Sequence, residues 1–326
     1  MAANPRGREL TLYAKRQDDL KTRASGNFQT LRAYALEFDR NEALDTDEEL
    51  GGARHNARDA TDPAPGLVRP SGRISVSLDH NQIAYWLDMM FGTVSPSGSG
   101  PYTRVWETGA AVLPAYTLQG GFRANHHAIY DGVMLNTMSV GAAKESGYRQ
   151  VTFDALAWDV PAPSETSIAG TPVAEPARSK QPSRKTKILI NDVAVGTVLE
   201  ADYTISNGLE LIDLIDDDAS GRASLIDPGD TEVTGRFRAR ADTDAIFDVF
   251  QGANAPFKLE IIHEIDASHS LSCLIPRCFG PPPTLKVSGP GGIDFEADFQ
   301  ANQLVGGSPE PTATLTLINQ LEELFA

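Results

Sequence analysis

The chain has 326 residues, 41 % hydrophobic and 22 % charged, which is globular composition and excludes a chain disordered throughout. Its net charge of −16, from 44 acidic against 28 basic residues, argues against a protein that grips nucleic acid, though not against nucleic acid passing close by. No apolar run reaches the ~18 residues that would mark a membrane-spanning helix, and "MAANPRGREL" at the N-terminus lacks the apolar core of a secretory signal.

In chain order, short alternating strands separated by Gly, Pro, Asp and Ser clusters dominate, the pattern of antiparallel sheet. "LTLYA" near residue 10 and "LRAYALEF" from Leu31 open the series. The stretch 51–70, "GGARHNARDATDPAPGLVRP", reads as a long exposed loop. Then "SGRISVSLDHNQIAYWLDMMFG" (71–92) predicts a two-faced strand, a helix capped by Asp79 and stopped by Gly92. Gln82, three residues after Asp79, completes a capping-box pattern. "VTFDALAW" from Val151 is a further strand. Residues 161–185, rich in Pro, Ala, Ser and Thr, have the composition of an extended, solvated linker. Beyond it, "TKILI", "FKLEIIHE" and "IDFEADF" are strands, and the C-terminal "TLINQLEELF" reads as a helix.

The linker separates halves that echo each other. "TGRFRARADTDAIFDVFQG" (234–252) repeats the strand, Asp, helix and glycine of 71–92, with Gly72 and Gly235 163 residues apart. Ile74, Val76 and Leu78 alternate with polar residues in one copy, as Phe237, Ala239 and Ala241 do in the other. Trp86 and Met90 in the first helix, and Phe247 in the second, read as packing residues. Upstream, "NFQTLRAYALEFDRNEAL" lies over "AVGTVLEADYTISNGLEL" at an offset of 167, pairing Leu36 with Tyr203 and Leu44 with Leu211. Downstream, "GPYTRVWE" and "APFKLEII" both follow the helix glycine. The expected organisation is therefore 1–160 as a first repeat, 161–185 as linker and 186–326 as a second repeat.

A search for chemistry returns no phosphate loop, no H-E-x-x-H and no nucleophile elbow. "GPGG" at 289–292 reads as a turn. His126, His127 and Asp131 suggest a metal site only weakly, since adjacent strand residues point to opposite faces. Cys273 and Cys278, the only cysteines, have no second pair to complete a zinc tetrahedron. With Pro276 between them they predict a turn or sheet edge, and two thiols fit synthesis in a reducing cytoplasm. Asp213, Asp216, Asp217 and Asp218 form an acidic loop without the pattern of a calcium-binding loop. No catalytic, cofactor-binding or metal residue is assigned, no cofactor is expected, and the expectation is a protein that is not an enzyme.

The ordered set "SGRISVSLD…IAYWLDMMFG", "GPYTRVW" and "GVMLNTMSVGA", with "TGRFRARAD" and "YTISNGLEL" in the second half, resembles the major tail tube protein of long-tailed, non-contractile bacteriophages. The resemblance implies a mainly β fold of two tandem tube domains, each a β-sandwich or barrel flanked by a helix. It implies a structural virion protein whose copies form stacked rings, trimeric but pseudo-hexameric if each chain supplies two domains. It further implies a location in the virion tail, a tape measure protein in the lumen, and tail terminator and tail tip proteins as neighbours. Genomic DNA would pass an acidic lumen without specific binding, with no membrane insertion, and loop 51–70 would meet the next ring. The alternative is a tandem β-sandwich binding module of a virion tail, recognising glycan or a host surface, which predicts aromatic residues exposed on loops.

Overall fold

The computed structural model describes residues 7–46, 62–123, 125–215, 220–240, 255–281, 284–285, 293–303 and 309–325. The second helix with Phe247 and Gly252, the turn at 289–292 and Asp216, Asp217 and Asp218 lie outside the described residues. The fold is mainly β, and one α-helix is described.

Alternation builds the first half. Its strands are β1 (Thr11–Arg16), β2 (Gln29–Leu31), β3 (Ala35–Asp39), β4 (Glu42–Asp45), β5 (Ala64–Val68) and β6 (Ser71–Ser77). After α1 (Ile83–Phe91) come β7 (Tyr102–Glu107), β8 (Tyr116–Arg123), β9 (His126–Ala143) and β10 (Gln150–Leu156). The second half contains β11 (Lys187–Ile190), β12 (Val193–Ala194), β13 (Val198–Ser206), β14 (Glu210–Ile212), β15 (Leu225–Asp227) and β16 (Glu232–Arg240). It continues with β17 (Phe257–Asp266), β18 (His269–Phe279), β19 (Thr284–Leu285), β20 (Asp294–Ala301) and β21 (Thr314–Asn319).

Every pairing between these strands is antiparallel. The 18-residue β9 serves two layers: its first part pairs with β8, its second lies between β10 and β13. The change of layer falls at Gly132, whose φ of +63° suits glycine. A Cβ there would stand 2.7 Å from the Leu20 carbonyl oxygen. Beyond the bend runs one wall, β3–β6–β10–β9–β13–β16–β20, which crosses both halves without a break.

The pairing order β3–β6–β10–β9 recurs as β13–β16–β20–β18, and β1–β8–β9 recurs as β11–β17–β18. Gly72 lies opposite Phe38 and Gly235 opposite Tyr203. A Cβ on either glycine would meet the carbonyl oxygen of Glu37 or Asp202, at 2.5 or 2.3 Å. That equivalence sets Phe38 against Tyr203, 165 residues apart, and corrects the expected match of Leu36 with Tyr203. A slip of two leaves every side chain on its own face, so alternation does not reveal it. The match of "GPYTRVWE" with "APFKLEII" is corrected too: β17 takes the place of β8, and among the described strands β7 pairs with β21 alone.

Other expectations change for local reasons. The C-terminal helix is instead the strand β21, lodged between β7 and β18, because Leu315 and Leu317 alternate with Thr314, Thr316 and Ile318. Part of the expected loop 51–70 is β5, which pairs with β4. The linker 161–185 carries no long strand, yet Ala169, Gln181 and Ser183 are buried. Its backbone is taken up by the first half: Val173 exchanges hydrogen bonds with Phe28 and Thr30, and Ser179 receives one from His80 at 2.9 Å. Asp79 caps the turn before α1, accepting from the N–H groups of Asn81 and Gln82 at 3.1 and 3.2 Å. Gln82 does not complete the box; its amide bonds both backbone groups of Arg32 instead.

All nine residues of α1 are buried against the apolar side of the wall, with the Trp86 ring stacked on Phe153 at 5.8 Å. Asp88 is buried there and accepts from the Trp106 indole at 2.9 Å. Burial pushes its carboxyl up to about 6 against the pull of Trp106 and Arg104. A folded-state value above the unfolded one means that ionisation destabilises: the native state is favoured below about pH 4 and loses that advantage as pH rises through 6. Asp88→Asn keeps the acceptor without the charge. It is expected to raise stability by about 3 kcal/mol at pH 7 and by almost nothing at pH 4, read from denaturant midpoints at the two pH values.

Candidate functional site

The wall has one apolar and one polar face. Ile74, Val151, Phe153, Val140, Tyr203, Phe237 and Phe299 point to the helix side and are buried. The register then assigns the other face residue by residue. One row runs Glu37, Arg73, Asp154, Thr137, Ser206 and Glu232. The next runs Ala35, Ser75, Thr152, Ser139, Thr204, Thr234 and Gln300. Ser139 and Thr204 join their hydroxyls at 2.9 Å across the β9–β13 joint, so the polar face is continuous where the halves meet.

Towards β20 the face becomes charged. Arg236 stands between Asp202 and Asp298, Arg238 between Glu200 and Glu296, and Arg240 opposite Asp294. Arg236 bonds Glu296 and lies 3.8 Å from Asp298. Arg238 lies 3.6 Å from Glu200 and 3.4 Å from Asp294, and Arg240 lies 3.3 Å from Asp294. Arg73, on the first half, is held by Asp154 at 2.8 Å. Partial burial and Glu200 raise the Asp202 carboxyl, with Arg236 opposing. Across the described wall, Glu37, Asp39, Asp154, Glu200, Asp202, Glu232, Asp294, Glu296 and Asp298 outnumber four arginines. The face is acidic, and each arginine on it is engaged by a carboxylate.

The pattern was partly visible in sequence. "RFRAR" shows its arginines at every second residue, but their partners lie 34 to 62 residues away, on β13 and β20. "DFEADF" carries the complementary spacing, acids alternating with Phe295, Ala297 and Phe299, and is the signal that was missed.

The residues weighed for chemistry are dispersed. His126 is exposed and its Nδ1 meets the Asn125 carbonyl, while His127 is buried beside Gln119 at 3.1 Å. Asp131 pairs with Arg23 at 2.6 Å. Cys273 and Cys278 are buried, free thiols in β18, and burial pushes both up, Cys273 to about 12. The turn expected around Pro276 is a β-bulge: the register with β17 shifts between Leu259–Ile275 and Phe257–Cys278, where no ladder hydrogen bond is needed. Asp213 pairs with Arg69. Among the described residues, no group of three or more His, Cys, Asp or Glu could hold a metal ion.

A second surface lies at one end of the wall. The β4–β5 and β14–β15 hairpins meet there, with Val68 donating to Gly221 at 2.8 Å and Asp159 taking Arg40 and Arg222 at 3.1 and 2.7 Å. Leu44, Leu67, Leu214 and Ile215 are exposed on these hairpins. A family model described as phage tail tube protein matches residues 7–301. No curated protein matches the chain.

Proposed function

Since the chain belongs to the phage tail tube protein family, as a structural component of the virion tail that assembles with copies of itself, we propose that its polar wall lines the bore of a tube built from rings of three chains. The β9–β13 joint carries the proposal. Inside one chain, the last strand of the first wall segment pairs with the first strand of the second. By the recurring order, β18 and β19 hold the place of β9, and β3 holds that of β13. The outer edge of β3 in one chain is then the partner for β18 and β19 of the next.

Size favours three chains. The segments β3, β6, β10, β9, β13, β16, β20 and β18–β19 give eight strand widths per chain. At the usual spacing and tilt, three chains close a barrel roughly 50 Å across between backbones, and six would double it. Three chains of two tube domains each make a pseudo-hexamer, and the recurring pairing order supports such a duplication, with boundaries near 160 and 186. The acidic face suits a bore for genomic DNA, since phosphate releases no counterions onto engaged arginines. The two hairpins, with their exposed leucines and Ile215, would contact the next ring, and the bore would hold the tape measure protein before ejection. Tail terminator and tip proteins would close the two ends. On this reading the protein performs no catalysis.

The joint supplies the test. Thr204 opposite Ser139 translates to Asp39 of one chain opposite Thr284 of the next. Assembled chains carrying Asp39→Cys and Thr284→Cys should form oxidised ladders that end at three chains on a non-reducing gel. Either single variant should stay monomeric there. A ladder running on to six, or no cross-link in well-formed tubes, would overturn the trimer or the joint respectively.

A further inference from the structure

The arginines on β16 differ from everything else on the wall. At the equivalent strand of the first half, β6, the same face shows Ser71, Arg73, Ser75 and Ser77, a single cation. On β16 it shows Arg236, Arg238 and Arg240 in succession, about 6.8 Å apart along the strand. Each of these arginine side chains is 44 to 56 % exposed, on a face that no part of the described chain covers. Such a row is a ready contact for nucleic-acid phosphates, because each released arginine contributes charge neutralisation regardless of base sequence.

What closes most of it is the neighbouring strand β20, with Glu200 of β13 a further partner of Arg238 at 3.6 Å. β20 sets Asp294, Glu296 and Asp298 directly opposite the three arginines. The extra cations of β16 are thus matched by extra carboxylates, whereas β10, opposite β6, offers only Asp154. Stability alone does not require this, since exposed ion pairs contribute little, ~0–1 kcal/mol each. We propose that Arg236, Arg238 and Arg240 form a masked polyanion site, kept closed to passing DNA by Asp294, Glu296 and Asp298. The inference rests on the bore reading for its biological sense, but the masking itself belongs to the folded chain. In a ring, masked charged stripes would alternate with stripes of serine and threonine, so the bore would be smooth to DNA without being uniform.

The test removes the mask. Preassembled tubes of the D294N/E296Q/D298N variant are mixed with short linear duplex DNA or closed circular duplex DNA, then sedimented. Wild-type tubes should retain neither. Variant tubes should retain the linear DNA, with a salt dependence steeper by about 0.9 in log–log slope per arginine released. Adding R236Q/R238Q/R240Q should abolish that retention. The variant E107Q/E165Q/E310Q, which removes three exposed charges away from the wall, should behave as wild type. Equal retention of circular DNA, which cannot enter a tube end, would keep the masked site and overturn the bore. If the variant does not polymerise, fluorescence anisotropy of its free chains with the short duplex decides the same point. Binding no stronger than that of the off-wall control, in tubes and free chains alike, would overturn the masked site.

Discussion

Trp86→Ala is expected to abolish tube formation by unfolding the first half. Trp86 is fully buried in α1, stacked on Phe153 of β10, and so fastens the helix to the apolar side of the wall. Truncating a buried tryptophan costs about 3–5 kcal/mol, through lost transfer energy and the cavity left behind. That is a large share of the 5–15 kcal/mol that typically holds a domain. Trp86→Phe should cost far less: it keeps the stack, and the indole N–H has no acceptor to lose among the described residues. Chemical denaturation of unassembled chains, with electron microscopy of assembled ones, reads both effects. Wild-type stability in the alanine variant would show that α1 does not hold the wall.

Gly235→Val should be harsher still, leaving no soluble chain. A Cβ at Gly235 would lie 2.3 Å from the Asp202 carbonyl oxygen and 2.3 Å from the Phe299 ring. Both obstacles belong to strands that flank β16, so neither side has room to retreat. Phe299 fills the glycine's vacant space and packs on Phe237 at 5.0 Å, an aromatic covering a glycine in a sheet. The comparison is Gly72→Val, where the Phe38 ring and Glu37 carbonyl stand at 2.4 and 2.5 Å. There the obstacle is β3, which among the described strands pairs with β6 alone, so its outer edge meets no other described strand. Gly72→Val should therefore stay soluble with a loosened β3, and lose assembly before it loses folding. Soluble yield and thermal unfolding of the two variants side by side test the difference. Equal outcomes would mean that β3 is as firmly held as a central strand.

The contrast between these glycines also marks how far the sequence could be read. Alternation located the strands of the wall, because Ile74, Val76 and Leu78 on one side and serines on the other leave one arrangement for a half-buried strand. It identified α1 through a run from Ile83 to Phe91 too apolar for any exposed position. It failed where partners decide. The register between copies slipped by two residues, since a period of two is blind to that shift. The C-terminal segment looked helical, yet β7 and β18 leave a slot between them that only a strand fills. Gln82 suited a capping box, but the Arg32 backbone competes for its amide and wins. The polar wall itself was legible one strand at a time, never as a surface, because Arg238 meets Glu200 and Asp294 only after the chain has doubled back.

The β9–β13 joint has a kinetic corollary. A ring of six separate domains needs five associations, each with its loss of translational and rotational freedom. If every second joint is made inside a chain, as proposed, a ring of three such chains would need two. The first ring, with no template beneath it, would be the step that benefits most. Its rate of appearance would follow a lower power of subunit concentration than a single-domain ring, so that tubes start at dilutions where six loose pieces would stay apart.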